Sequence, residues 1–222
     1  MSLKSSLAVV AMLATPSVGM SAQAAAGLAH ELPSLAARKT ANWIVSSHDN
    51  AGAAFFIIDK KRARLLVFDA AGNLQGASPV LLGLARGDDT VPGIGDKALA
   101  DIRPQERTTP AGRFVAERGR NLQGDDVVWV DYAAAVSLHR VRNVNPGDRR
   151  VERLLTKTIA DNRISYGCIN VPVAFYDHVV QQAWRSGRGV VVYVLPEKRG
   201  LEEVFVWPRS FVSAAALLRH LG

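Results

Sequence analysis

Three runs of strand length constrain this chain most: AFFIID at residues 54–59, RLLVF at 64–68 and GVVVYVL at 189–195. Each is apolar on consecutive positions, the pattern of a strand enclosed in a core. The basic turn at 60–64 joins the first two, and Ala71-Gly72-Asn73 closes the second, which predicts a hairpin. Residues 74–82 read as a third strand, and further strands are predicted at 113–117, 127–132 and 135–141. Helical periodicity is confined to 33–45, opening at Pro33 and ending near Ser46-Ser47, to 175–184 after Pro172, and to 210–221. The order is many strands with few helices and no strand–helix–strand alternation. It predicts a mostly β domain with peripheral helices, not a doubly wound parallel sheet.

Residues 83–110 are punctuated by Gly83, Gly87, Pro92, Gly93, Gly95, Pro104 and Pro110, and only 96–102 reads as a short helix. An irregular stretch of that length inside a compact domain suggests a functional loop. At the N-terminus, Lys4, the apolar run 7–13 and the small-x-small triplets Ala22-Gln23-Ala24 and Ala24-Ala25-Ala26 follow the order of a secretory signal peptide, placed at 1–26. The remaining boundaries are a helical extension at 27–53, a catalytic domain at 54–196 and a strand and helix extension at 197–222. With 48% hydrophobic residues the chain is neither disordered nor collagen-like, and no apolar run approaches the roughly 18–20 residues of a membrane span.

The sequence holds one cysteine, which excludes an internal disulfide and leaves no Cys-Cys metal spacing, so no metal site is expected. An exported protein that keeps one thiol either buries it or uses it. Cys168 lies in Ser165-Tyr166-Gly167-Cys168-Ile169-Asn170, a Gly-containing turn read as leading into the helix after Pro172. Backbone N–H groups and a helix N-terminus there would lower the thiol pKa and hold an oxyanion. The base that such a nucleophile needs is His139, near the end of the strand 135–141. On these residues alone, a buried structural cysteine and a structural histidine remain the alternative.

The Ser-Tyr-Gly-Cys-Ile-Asn turn resembles the Ser/Thr-His-Gly-Cys-hydrophobic-Asn signature of the L,D-transpeptidases of the YkuD type. The run 56–59 with 64–68 is similar to that family's first hairpin, Thr109-Pro110-Ala111-Gly112-Arg113-Phe114 to its Thr-Pro-x-Gly-x-Phe turn, and Ser137-Leu138-His139 to the end of its base-bearing strand. The resemblance spans about residues 54–195. It implies a β-sandwich or barrel with a helix after the nucleophile. It also implies a periplasmic enzyme of peptidoglycan biosynthesis and cell shape that cross-links stem peptides through a thioester and needs no cofactor. Cys168 would be the nucleophile, His139 the base, and the N–H groups of Gly167 and Cys168 the oxyanion hole, with Ser165 and Tyr166 in the turn and Asn170 at the substrate. Exchange of the terminal D-amino acid, hydrolysis by an L,D-carboxypeptidase or amidase-like relative, and a non-catalytic wall-binding relative all remain open. Carbapenems are implied as thiol reagents.

Three departures stand out. Arg140 follows His139 where the family usually has Gly, Ser or Thr, a change that the family's use of a backbone carbonyl to orient the base would survive. Tyr166 replaces the family's usual second histidine, and Cys168 follows His139 by 29 positions, about ten more than usual. The excess lies in an insert where seven basic residues face three acids between Arg140 and Arg163. Its Arg140, Arg142, Arg149 and Arg150 are expected to bind substrate carboxylates, which a guanidinium grips bidentately. The net charge of +7 becomes +6 once Lys4 leaves with the signal segment. Without a helix-turn-helix, zinc-finger spacing or aromatic-basic motif, that charge is read as meeting wall anions and not nucleic acid.

Overall fold

The computed structural model describes residues 32–207. The expected signal segment and the helix at 210–221 lie outside them. From Pro33 onward the described chain forms one compact unit. Helix α1 (Leu35–Ser47) comes first, its N-terminus capped by the Ser34 hydroxyl, which accepts the Ala37 N–H. Then follow β1 (Ala54–Asp59), β2 (Arg64–Phe68), β3 (Leu74–Pro79), β4 (Leu82–Gly83), β5 (Gly112–Arg120), β6 (Asp126–Asp131) and β7 (Val136–Arg140). The insert contributes helix α2 (Arg150–Leu155). β8 (Arg163–Ser165) and β9 (Ile169–Val171) flank the cysteine turn, and β10 (Val190–Val194) closes the set.

Eight strands form one sheet in the order β3-β2-β1-β10-β5-β6-β7-β9. Leu81, just past β3, exchanges two backbone hydrogen bonds of 2.9 Å with Asn170 of β9. The two edges of the sheet thereby meet, and the sheet nearly closes into a barrel. The mostly β expectation holds.

The consecutive apolar pattern has a direct cause. β1 is buried along its whole length. Phe56 and Ile58 face an interior shared with Leu65, Val67, Val192, Tyr176 and Val180. Phe55 and Ile57 face the opposite side, where Trp43 and Ile44 of α1 meet Tyr193 and Phe205. Alternate residues of one strand thus serve two cores, which is why the run from Ala54 to Ile58 is apolar throughout. Helix α1 braces this side of the sheet. Trp43 stands edge-on to Tyr193 with centroids 6.1 Å apart and stacks on Trp207 at 5.7 Å.

Four expectations need correction. The third strand stops at Pro79, because the chain must leave the sheet for Leu82 and Gly83 to pair with β8. The short helix expected at 96–102 is instead two single 3-10 turns, Ile94–Asp96 and Leu99–Asp101. The helix after Pro172 spans 173–186 but is irregular, opening as one α turn, widening to a π segment at Tyr176–Val180 and tightening to a 3-10 stretch at Gln181–Ser186. Finally, β9 intervenes between Cys168 and that helix, so the thiol does not sit at a helix N-terminus. Among the described residues, no helix is long and apolar enough to cross a membrane.

Candidate active site

β7 and β9 run parallel, with His139 opposite Asn170. This pairing brings the two ends of the insert together and places His139 beside the cysteine turn. Strand alternation puts Ser137 on the same side of β7 as His139. The Cys168 sulfur lies 3.6 Å from the Ser137 hydroxyl, and its S–H points to the Ala135 carbonyl at 3.5 Å.

The thiol is half-buried. Burial pushes its pKa up, but the hydrogen bond and charge of His139, with the N–H and hydroxyl of Ser137, outweigh burial and hold it below the ordinary thiol value. His139 Nδ1 lies 2.7 Å from the carbonyl oxygen of Arg140. A carbonyl can only accept, so Nδ1 carries the proton and Nε2 is the unprotonated ring nitrogen. The arrangement is a thiol, a ring nitrogen to receive its proton, and a backbone carbonyl to orient the ring.

The cysteine turn is tied down on all sides. The Ser165 hydroxyl donates to the Cys168 carbonyl at 2.6 Å and accepts the Gly167 N–H at 3.1 Å. Gly167 has φ +131°, and a Cβ there would stand 2.9 Å from the Thr108 carbonyl oxygen, so only glycine fits. The loop 83–110 reaches the turn through Thr109, whose hydroxyl donates to the Gly167 carbonyl at 2.8 Å and accepts the Gly83 N–H at 2.9 Å. That loop is anchored in turn by the buried Lys60–Asp88 pair at 3.0 Å. Lys60 also donates to the carbonyls of Gly87 and Thr109. Asp88 accepts the N–H groups of Glu197, Lys198 and Arg199.

Several site expectations change on this geometry. The Gly167 N–H is committed to Ser165 and is not aimed at an oxyanion, whereas the Cys168 N–H meets no acceptor among the described residues. Asn170 is 1% exposed and serves His139, its Nδ2 lying 3.1 Å from Nε2, so it is not a surface for substrate. Arg140 bridges Asp126 at 2.8 Å and Asp177 at 2.6 Å while lying over the Tyr176 ring. Arg142 pairs with Asp125 at 3.1 Å, and Arg150 joins Asp148 to Asn170. Of the four arginines assigned to substrate, Arg149 alone is exposed; each of the others is engaged by acceptors of its own chain. Lining charges of opposite sign claimed them, a pairing that residue counts cannot show.

Tyr166 stays at the surface, with the Arg107 guanidinium 3.9 Å above its ring. Tyr166 therefore presents a cation and an aromatic face next to Cys168. Sequence reasoning did not single out Ser137, Thr109 or Arg107 as site residues. The first two were within reach, Ser137 by its two-residue offset from His139 and Thr109 by its place in the Thr-Pro-x-Gly-x-Phe turn. Arg107 had no signal. Among the described residues no three His, Cys, Asp or Glu side chains gather as a metal site.

No protein-family profile and no curated protein matches this sequence. Solved structures similar to it include the L,D-transpeptidase from Xylanimonas cellulosilytica, at 16% identity and a TM-score of 0.38 over 65% of this chain and 61% of that one. The catalytic domain of the E. faecium L,D-transpeptidase is similar at 18% identity and a TM-score of 0.36, over 65% of this chain and 98% of that one. The helical cell shape determining protein Pgp2 from Campylobacter jejuni is similar at 15% identity and a TM-score of 0.41, over 76% of this chain and 58% of that one. The chain thus spans about three fifths of the first and third of these structures. Likeness at these values assigns no activity.

Proposed function

We propose that this protein is a cysteine acyltransferase acting on peptidoglycan stem peptides as an L,D-transpeptidase after export to the periplasm. The observation that carries the proposal is the coupling of Cys168 to His139, which holds the thiol pKa below its ordinary value, with His139 Nδ1 bound by the Arg140 carbonyl. In this reading His139 Nε2 takes the thiol proton, and the thiolate attacks the carbonyl between the third and fourth residues of a donor stem. The oxyanion formed is met by the Cys168 N–H, a donor of a kind worth about 3–4 kcal/mol of barrier. As the intermediate collapses, the C–N bond breaks, His139 returns the proton to the departing D-amino acid, and a thioester remains on Cys168. An amine from a second stem then attacks the thioester, loses its proton to His139, and restores the thiol.

The test is to incubate the protein without residues 1–26, and its Cys168→Ala variant, with purified muropeptides and resolve the products by mass. The expected result is a cross-linked dimer that the variant does not make. Exchanged or trimmed monomers would redirect the reading to exchange or hydrolysis, and no Cys168-dependent product would overturn it. Stoichiometric carbapenem adduct formation at Cys168, lost in His139→Ala, provides an independent check.

A further inference from the structure

Arg150 belongs to the insert between base and nucleophile, yet its guanidinium reaches the core of the site. Its Nη1 donates to Asn170 Oδ1 at 3.0 Å, and the same amide meets His139 Nε2 at 3.1 Å through Nδ2. The polarity of this chain of bonds is fixed from both ends. A guanidinium only donates, so Oδ1 must face Arg150 and Nδ2 must face the ring. At the other end the Arg140 carbonyl only accepts, so Nδ1 is protonated and Nε2 is bare. The two assignments agree: the amide N–H of Asn170 occupies the Nε2 lone pair.

That lone pair is the one that must receive the Cys168 proton. Transfer therefore requires the amide to withdraw, or to turn over and offer Oδ1 to the new Nε2–H. While Arg150 holds Oδ1, turning over would set Nδ2 against Nη1, two donors facing each other around a side chain that is 1% exposed. Arg150 thus stabilises the orientation in which the base is capped.

We infer that Arg150 is a positioning residue that latches His139 in its capped tautomer through Asn170, and that chemistry at Cys168 begins when the latch is released. The inference rests on the reading of Cys168 and His139 as nucleophile and base. The means of release is also visible. Arg150 Nε is held by Asp148 at 2.9 Å on a side chain that is 19% exposed, so an incoming carboxylate competes for the same guanidinium. A carboxylate-bearing substrate would in this way uncap the base that acts on it.

Other charged groups around His139 are accounted for. Asp125, Asp126, Arg140 and Arg142 line a cavity of about 160 Å³ beside it, Arg140 bridging Asp126 and Asp177 and Arg142 pairing with Asp125. Cys168 approaches from the turn before β9, and Asp148 acts only through Arg150. Replacing Arg150 leaves all of these in place except the Asp148 contact.

The experiment is the pH profile of Cys168 alkylation by iodoacetamide, from about pH 5 to about pH 9, in the exported form of the protein. In Arg150→Ala the midpoint is expected to move to lower pH, with alkylation on the acidic limb rising about threefold to tenfold, the range of one exchanged hydrogen bond. Arg150→Lys, which keeps a donor for Oδ1, is expected to restore the wild-type profile. In an Asn170→Ala background, Arg150→Ala is expected to lose its downward shift, because the relay is already cut. Simple loss of a positive charge would move the midpoint upward, so an upward or absent shift overturns the latch, as does a downward shift that persists without Asn170. His139→Ala separates the two levels. If it alkylates like wild type at every pH, the Cys–His reading itself fails and the latch with it; if it is slowed while Arg150→Ala follows wild type, the latch alone fails.

Discussion

The Thr109 hydroxyl donates to the Gly167 carbonyl at 2.8 Å, so one side chain of the long loop holds the turn that carries Cys168. Thr109 is fully buried and also accepts the Gly83 N–H. Thr109→Val keeps the shape and removes both bonds, leaving a buried carbonyl and a buried N–H unpaired. A loss of about 1–3 kcal/mol for each group is expected in urea denaturation, with Thr109→Ser retaining most of the stability. An unchanged midpoint for the valine variant would show that the loop is held by other contacts.

The pull of His139 on Cys168 has a definite sign. Burial alone would raise the thiol pKa, and His139 with Ser137 reverses this. The wild-type thiol should therefore ionise below the ordinary thiol value. In His139→Ala, burial dominates and the ionisation midpoint should rise above that of wild type. Thiolate absorbance near 240 nm, followed against pH with Cys168→Ser as blank, reads both midpoints. A midpoint unaffected by His139 would contradict the coupling.

The Lys60–Asp88 pair sets the acid behaviour of the fold. Burial raises the Asp88 pKa, but three backbone N–H groups and the Lys60 ammonium outweigh it and bring it well below the usual carboxylate range. The native state then holds fewer protons than the unfolded chain below about pH 4. The contribution of Asp88 is complete above that value and is lost as pH falls toward the native pKa. Asp88→Asn leaves Lys60 buried without its counter-charge, and a loss of about 3–5 kcal/mol is expected at neutral pH. The gap from wild type should narrow when unfolding is repeated near pH 3. A gap that is constant with pH would exclude this linkage.

The insert arginines should differ in what they hold. Arg142 pairs with Asp125 at a half-exposed surface, and Arg142→Gln is expected to change stability by no more than about 0.5–1 kcal/mol. Arg140 joins Asp126 of β6 to Asp177 of the helix at 173–186, and Arg140→Gln is expected to cost about 1–3 kcal/mol. Thermal melts of the two variants side by side decide the ranking. Equal losses would mean that the bridge contributes no more than a surface pair.

Much of the fold was legible because its signals are local. The consecutive apolar residues of β1 and β10, the basic turn after Asp59 and the periodicity of α1 each follow from the residues of one segment. β8 and β9 were not legible. At three residues apiece they carry no pattern of their own, and they are strands only because Leu82 and Leu138 lie alongside to pair with them. The irregular helix after Pro172 shows the same limit, since apolar spacing announces a helix without fixing its pitch.

For the site, the chain by itself determined the chemistry available: one thiol, a Gly-containing turn around it, and a histidine at a strand end. It also determined that the insert is basic. Only the tertiary structure decided where those groups point. Parallel pairing of β7 with β9 set His139 beside Asn170, and the acids of the β5–β6 loop, of β6, of the insert and of the helix at 173–186 took up three of the four arginines assigned to substrate. The reason is physical. A residue's type fixes which bonds it can make, but hydrogen bonds and ion pairs form only across distances of about 3 Å, and separations between residues 29 positions apart are set by the folded sheet, not by the order of the chain.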